Sequence, residues 1–375
     1  MNKTEKAFHG SDLEKIEKIY GIPKEQIVSF AANVNPLGFS PKAAEAFKNN
    51  LHVISSYPDR EYTNLKKAIA SYTGADPLHI ILGNGVTELL TLFLQMTMPQ
   101  KAVIIGPTYS EYEKDLLRQN SQVIHIDASE ADDFVLSVQD LIAQTPDDTD
   151  LVILCNPNNP TSGALCKADL KLLAADYQKR HILLMIDETY VEFSAKSAEI
   201  TAADLTGHYD NLFVLRGTSK FFATPGLRLG YALTGNQELL DKVARTQDPW
   251  NINSAADFVG TVMLEDNDYI RLVRQTMETE KEYVCSQLSA ISGIRTYPVN
   301  SNFVLVKLPA DTLTSGELFE LLIRQGMMIR DCSTFESLGE RFIRICFMSH
   351  ADNQRLIAAI REALQSGSAI RETPT

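Results

Sequence analysis

The sequence predicts an α/β fold: a large domain whose mainly parallel sheet lies between helices, then a smaller C-terminal α/β domain. Two observations predict it. Between residues 80 and 215, short apolar runs recur, and helical segments separate most of them. Runs without the in-out alternation of a half-exposed strand belong to buried parallel strands. After residue 300 a second, shorter series of strand-like runs follows. A chain of 375 residues, 44% hydrophobic and 22% charged, has room for two lobes and an ordinary globular composition.

In order, Asp12–Tyr20 reads as a short helix stopped by Gly21-Ile22-Pro23. Residues 30–40, FAANVNPLGFS, form an irregular Asn/Pro/Gly segment, long for a mere connector. Helical patterns follow at Pro41–Asn49 and Tyr62–Tyr72, with Tyr57-Pro58-Asp59 as the break between them. The strand Ile80–Leu82 leads through Gly83-Asn84-Gly85 into a helix at Val86–Met96. Strands are expected at Ala102–Ile105, Val123–Ile126, Leu151–Leu154, Ile182–Ile186 and Leu212–Leu215. A helix follows Asn236, and a long helical stretch runs from Ser254 to about Ile291. Val304–Leu308, Met327–Arg330 and Phe342–Cys346 supply the strands of the smaller lobe. Leu356–Leu364 is a closing helix, and Ser366–Thr375 is expected as a loose tail. The expected division is an N-terminal arm with a substrate-site segment at 1–40, a large domain at 41–253, and a connecting helix with a small domain at 254–375.

Composition narrows the function. A net charge of −13 argues against a broad nucleic-acid surface. No apolar run approaches the ~18 residues of a membrane span, and the start, MNKTEKAFHG, lacks the apolar core of a signal peptide. The five cysteines, Cys155, Cys166, Cys285, Cys332 and Cys346, form no CxxC pair and read as reduced thiols of a cytoplasmic protein. The seven histidines form no metal-binding spacing, so no metal site is indicated.

The chemistry centres on residues 212–231, LFVLRGTSKFFATPGLRLGY. An apolar strand runs into Ser219-Lys220 and returns through Pro225-Gly226 to Arg228. Lys220 there could be an imine-forming amine, with Ser219 and Arg228 holding an anion nearby; a snorkelling lysine on a turn fits the same residues. Gly85, Val86 and Thr87 open a helix directly after a strand, where backbone N–H groups can cradle an anion, or simply make a βα turn. Asn156–Gly163, NPNNPTSG, follows a strand at the sheet edge where open α/β folds bind ligands. Asp187 ends a buried strand, where a carboxylate needs a cation or several donors, unless it only caps the next segment. Tyr190 lies three residues on. Tyr109, after the strand Ala102–Ile105, could stack on a planar ligand or merely pack. An anion cradle, a flat ring, an amide (Asn159), a buried acid and a lysine together suit pyridoxal 5′-phosphate. That cofactor needs an amine for its aldehyde, an acid for its ring nitrogen, donors for its phenolic oxygen and a phosphate site.

These motifs resemble the aspartate-aminotransferase superfamily of pyridoxal-phosphate enzymes over nearly the whole chain. They are NPNNPT, Asp187-Glu188-Thr189-Tyr190, Thr218-Ser219-Lys220 and Gly226-Leu227-Arg228-Leu229-Gly230. The resemblance implies that Lys220 bonds the cofactor and that Asp187 pairs with its ring nitrogen. It assigns Asn159 and Tyr190 to the phenolic oxygen and Tyr109 to ring stacking. Ser219, Arg228, Gly85 and the amides of Val86 and Thr87 go to the phosphate, joined by Tyr57 from the neighbouring subunit of a homodimer. Within the superfamily the chain looks like the branch shared by histidinol-phosphate aminotransferase and threonine-phosphate decarboxylase of the cobalamin pathway. His9-Gly10, Asn33-Val34-Asn35-Pro36-Leu37-Gly38, Pro249-Trp250-Asn251-Ile252-Asn253 and Arg330 followed by Arg344 lean toward the decarboxylase. By that likeness His9, Asn33, Asn159, Arg330 and Arg344 bind a small phosphorylated amino substrate. Ser11, where the decarboxylase has a second glycine, departs from that pattern, and Tyr109 and Tyr190 look more like the aminotransferase. Decarboxylation of threonine phosphate or phosphoserine is the expected reaction; transamination with 2-oxoglutarate is the alternative.

Overall fold

The computed structural model describes residues 10–335 and 337–371. They form two compact units. One comprises the chain to Pro36, Pro160–Ser162 and the chain from Gln275 onward; the other comprises Leu37–Asn159 and Gly163–Arg274.

The Leu37–Arg274 unit is built on a seven-stranded sheet. Its strands are β1 (Ile80–Gly83), β2 (Lys101–Gly106), β3 (Gln122–Asp127), β4 (Leu151–Cys155), β5 (Leu183–Asp187), β6 (Leu212–Gly217) and β7 (Gly230–Leu233). The spatial order is β1-β7-β6-β5-β4-β2-β3. All neighbours are parallel except β7, which runs antiparallel to both β6 and β1. The central strands are buried along their length, which is why they read as unbroken apolar runs. Their register levels the carboxyl ends: Cys155 lies opposite Asp187, and Asp187 opposite Leu215.

The helix Val86–Thr97 buries Leu89, Leu90, Phe93 and Leu94, a stripe at helical spacing. Phe93 stacks on Phe213 of β6 with ring centroids 4.2 Å apart, among Ile104, Ile153 and Met185. Truncating such a ring to alanine costs about 3–5 kcal/mol, so this contact ties the helix that opens at Gly85 to the strand that leads to Lys220.

In the other unit, β8 (Arg295–Thr296), β9 (Phe303–Lys307), β10 (Arg330–Asp331) and β11 (Phe342–Cys346) form an antiparallel sheet in the order β10-β11-β9-β8. Val28–Ser29 pairs in parallel with Met327–Met328.

Several elements differ from expectation. The long stretch from Ser254 is two helices, Ser254–Leu264 and Asn267–Ser289. The break is at buried Asp266, whose carboxylate accepts from Ser40 Oγ at 2.6 Å and from the Tyr269 N–H at 3.2 Å. A side chain that caps the next turn ends the previous helix. The expected strand Met327–Arg330 divides at Ile329, its two halves pairing with different strands. The closing helix spans His350–Arg371, so residues 366–371 are helical rather than loose, and residues 372–375 lie outside the described part. Strand β7 carries no four-residue signal of its own beyond the turn motif before it. Its Gly230 lies across the cradle, where an added Cβ would meet the Gly85 carbonyl carbon at 2.7 Å and the Val86 nitrogen at 2.8 Å.

Candidate active site

The cradle is shaped by two residues in left-handed backbone. Gly85 has φ +92°, and a Cβ there would lie 2.4 Å from Arg228 Nη2. Arg228 itself has φ +58°, a conformation uncommon outside glycine. Its guanidinium donates to the carbonyls of Pro225 (2.9 Å) and Asn84 (3.0 Å), which fixes it beside Gly85. Glu88, in the first helical turn, reaches back to the Asn84 N–H at 2.5 Å and to Asn84 Nδ2 at 3.1 Å. Asn84 Nδ2 also donates to the Asn251 carbonyl at 2.8 Å. The N-terminal amides of Val86 and Thr87 thus open a twelve-residue helix with no side-chain cap, beside a guanidinium. That arrangement of donors can hold an anion such as a phosphate.

Asp187 is 5% exposed at the end of β5. Its Oδ2 accepts from the Tyr112 hydroxyl at 2.6 Å, and its Oδ1 from the Thr189 N–H at 2.9 Å and the Thr189 hydroxyl at 2.5 Å. Burial pushes its carboxyl above the usual range, against these three donors. Tyr109 is half-buried and meets Tyr112 edge to face at 5.6 Å. Desolvation raises the Tyr109 phenol to about 12, so it is neutral at any ordinary pH. Asn159 is buried at the end of the NPN turn. Its neighbour Asn158 donates to the Pro107 carbonyl at 2.8 Å, and Asn156 holds the turn through Leu165 and Ile200.

Lys220 and Ser219, both half-buried, leave β6 through Thr218, whose N–H and hydroxyl both donate to the Leu229 carbonyl at 3.1 Å. Phe221 and Phe222 then drive into the interior. Phe221 meets Phe193 at 5.2 Å with Arg274 over its ring, and Phe222 meets Tyr72 at 5.8 Å. Anchored on both sides, the lysine's backbone has little freedom. Tyr190 is buried ahead of the 3₁₀ turn Val191–Phe193. Tyr57 stands apart: 79% exposed, it lies on Trp250 at 4.7 Å, with Arg60 beyond.

The other unit collects the remaining residues. Arg330 and Arg344 sit directly opposite one another on β10 and β11. Arg344 is buried; it donates to the Ala31 carbonyl at 2.7 Å and covers the Phe303 ring at 5.1 Å. Arg330 donates to Thr334 Oγ1 at 2.9 Å. Asn33 is buried in left-handed backbone with φ +56°, its carbonyl accepting from Asn302. Gly10 lies on the same Ala31 carbonyl, where a Cβ would approach to 2.1 Å. His9 lies outside the described residues.

Sequence reasoning missed four participants. Tyr112 and Thr189 hold Asp187; Tyr112 lies in the first turn of the helix Glu111–Arg118, which follows Tyr109. Glu188 and Arg216 form a buried ion pair, with Arg216 Nε and Nη2 on Glu188 Oε2 at 2.9 and 2.8 Å. Thr201 and the Ala202 N–H complete it. This pair joins the residue after Asp187 to the strand that delivers Lys220.

The residues present therefore fit a planar, phosphorylated cofactor with a basic ring nitrogen: the Gly85 cradle admits no side chain, and a buried acid faces its strand's open end. The model of the aminotransferase class I and II family matches residues 25–360. The chain belongs to that family, whose members depend on pyridoxal 5′-phosphate. It is 32% identical to the threonine-phosphate decarboxylase of Salmonella typhimurium over 358 residues, 95% of this chain and 96% of that one. Its fold superposes on the histidinol-phosphate aminotransferase of Clostridium acetobutylicum with a TM-score of 0.83 at 29% identity, covering 90% of this chain and 99% of that one. The histidinol-phosphate aminotransferase of Sinorhizobium meliloti, solved in complex with pyridoxal 5′-phosphate, has the same fold, with a TM-score of 0.83 at 22% identity and 94% of each chain covered.

Proposed function

We propose that this enzyme decarboxylates a small O-phosphorylated amino acid, L-threonine O-3-phosphate first and O-phosphoserine second. The observation that carries the reading is the pair Arg330–Arg344, two guanidinium-bearing residues in direct register on adjacent strands. Two forks side by side match the oxygens of a phosphate dianion, and arginine binds phosphate with fixed geometry. Asn33 and His9 are assigned to the same substrate. The likeness to the Salmonella typhimurium decarboxylase supports the choice of substrate class.

The site roles follow from the chemistry each residue can perform. Bound pyridoxal phosphate supplies an aldehyde carbon for an amine and a ring that withdraws electrons from the substrate's Cα. Lys220 would provide the amine that bonds the cofactor's aldehyde and, once displaced and protonated, the acid that returns a proton to Cα in place of the departed carboxylate. Asp187 holds a proton on the ring nitrogen. Asn159 and Tyr190 donate to the phenolic oxygen, and Tyr109 covers the ring. Gly85, Val86, Thr87, Ser219 and Arg228 hold the phosphate. Arg330 and Arg344 would grip the substrate's phosphate instead of its carboxylate, which leaves the carboxylate unheld and able to depart as carbon dioxide. Tyr57, exposed beside Trp250, is assigned to the partner's cofactor phosphate in a cytoplasmic homodimer.

A second reading, transamination of histidinol phosphate, is favoured by the 29% identity to the Clostridium acetobutylicum aminotransferase. The same arginines would hold that phosphate. One experiment separates the two. Purified protein is given O-phosphothreonine, O-phosphoserine or histidinol phosphate, with and without 2-oxoglutarate. Carbon dioxide release from O-phosphothreonine without a keto acid supports decarboxylation. Product only with 2-oxoglutarate, and no carbon dioxide, overturns it in favour of the transaminase. Lys220→Ala should lower turnover by roughly three orders of magnitude or more.

A further inference from the structure

Asp187 accepts three hydrogen bonds at the end of β5. Both of its oxygens accept from neutral donors within the protein: Oδ2 from the Tyr112 phenol, Oδ1 from the Thr189 hydroxyl and N–H. Tyr112 is 1% exposed and its position is fixed by the helix Glu111–Arg118, which follows β2. Its phenol also faces the Cys155 thiol at the end of β4. Burial keeps both of these groups above their ordinary pKa values, so each faces Asp187 uncharged. Tyr109, on the same segment, is neutral as well.

We propose that Tyr112 and Thr189 are positioning residues that keep Asp187 anionic and fix its plane, so that it meets the cofactor's ring nitrogen as a base already ionised. This rests on the reading of Asp187 as the partner of that nitrogen. The physical reason is a competition. Removing a carboxylate from water favours its protonated form, and hydrogen bonds to the charged form oppose that. Tyr112 and Thr189 supply the opposing bonds before the cofactor arrives. A carboxyl that kept its proton would have to surrender it, or turn, on each encounter. The hydroxyl of Thr189 makes the claim specific. Serine in its place keeps the donor, and valine keeps the shape without it.

The test is equilibrium dialysis of cofactor-free protein against pyridoxal 5′-phosphate, from about pH 6 to about pH 8.5. Variants are Tyr112→Phe, Thr189→Val, Thr189→Ser and Asp187→Asn, each checked for folding by its thermal midpoint. Bonds to a charged group of this kind correspond to roughly tenfold or more in affinity. Tyr112→Phe and Thr189→Val should each raise Kd about tenfold near neutral pH, while Thr189→Ser stays within about twofold of the parent. The ratio of variant to parent Kd should grow as pH falls, because a carboxyl with fewer donors binds its proton at higher pH. Loss of packing alone would give a ratio independent of pH. If Asp187→Asn weakens binding but Tyr112→Phe and Thr189→Val do not, or do so equally at every pH, the inference is overturned. If Asp187→Asn itself binds normally, the underlying assignment of Asp187 fails, and this inference with it. Should Tyr112→Phe not fold, the valine–serine pair at position 189 decides.

Discussion

Replacing Glu192 by glutamine should stabilise the cofactor-free protein above neutral pH and leave it nearly unchanged at pH ~4.5. Glu192 is 2% exposed, in the turn after Tyr190, and its Oε2 has no hydrogen-bond partner among the described residues. The Tyr72 hydroxyl is buried without one too, and the buried Tyr231 hydroxyl faces Arg216. The groups that act on Glu192 are Arg216 on β6, Glu188 after β5, Arg274, and the two tyrosines. Arg274 spends its Nε bond on the Glu192 carbonyl rather than the carboxylate, and Arg216 is engaged by Glu188. Desolvation therefore prevails, and the carboxyl is pushed up from 4.5 to about 7. The folded state binds this proton more tightly than the unfolded chain, so stability falls as pH rises from 4.5 to about 7 and is level above it. A rise of that size corresponds to roughly 3 kcal/mol. For 375 residues, with an unfolding entropy near 2 cal/mol/K per residue, that is about 4 °C in the thermal midpoint. Scanning calorimetry of parent and Glu192→Gln at about pH 4.5, 6 and 8.5 gives the curve. A difference that is constant with pH, or that favours the parent at high pH, would refute the reasoning, because it would mean Glu192 is ionised and paired in the native protein.

Asp187→Asn should do two opposite things: raise the thermal midpoint of the cofactor-free protein at neutral pH and weaken cofactor binding about tenfold or more, read by calorimetry and dialysis. The sign follows from burial, which raises the Asp187 pKa above 3.8, so the empty fold loses stability as pH rises through that raised value. Arg216→Met should destabilise by about 3–5 kcal/mol, because it leaves Glu188, 0% exposed, as an uncompensated buried charge. The double variant Arg216→Met with Glu188→Leu should recover much of the loss; equal loss in both would show the pair is not coupled. Co-expressed Tyr57→Phe and Lys220→Ala chains should form a mixed dimer with one fully native site, and turnover no higher than the mean of the parents would exclude a shared site.

The parts of this molecule that a linear reading reached are those whose signal is local. Lys220 sits between a buried strand and a proline-glycine return, and Asp187 ends an apolar run, so each is out of place for an ordinary surface charge. Gly85 is legible for the same reason, as a residue after a strand and before a helix. The helix break at Asp266 went unread although its signal is local, an aspartate whose carboxylate caps the Tyr269 N–H three residues on; the Ser40 hydroxyl that also holds it is more than two hundred positions away. Glu188 and Arg216 were not legible, because their meeting depends on strand register. Asp187 lies opposite Leu215, and the Glu188 N–H donates to the Leu215 carbonyl at 2.9 Å. The next residue along each chain is then brought to the same place. A shift of one residue in either strand would turn one of those side chains to the other face of the sheet and leave two buried charges unpaired. The register that sets Lys220 beside the strand of Asp187 is thus the register that satisfies the ion pair behind them. A sequence that mispaired β5 and β6 would lose several kcal/mol at Glu188 before it lost any chemistry at Asp187. The buried pair therefore acts as a check on the alignment of the strand that ends at Asp187 with the strand that leads to Lys220.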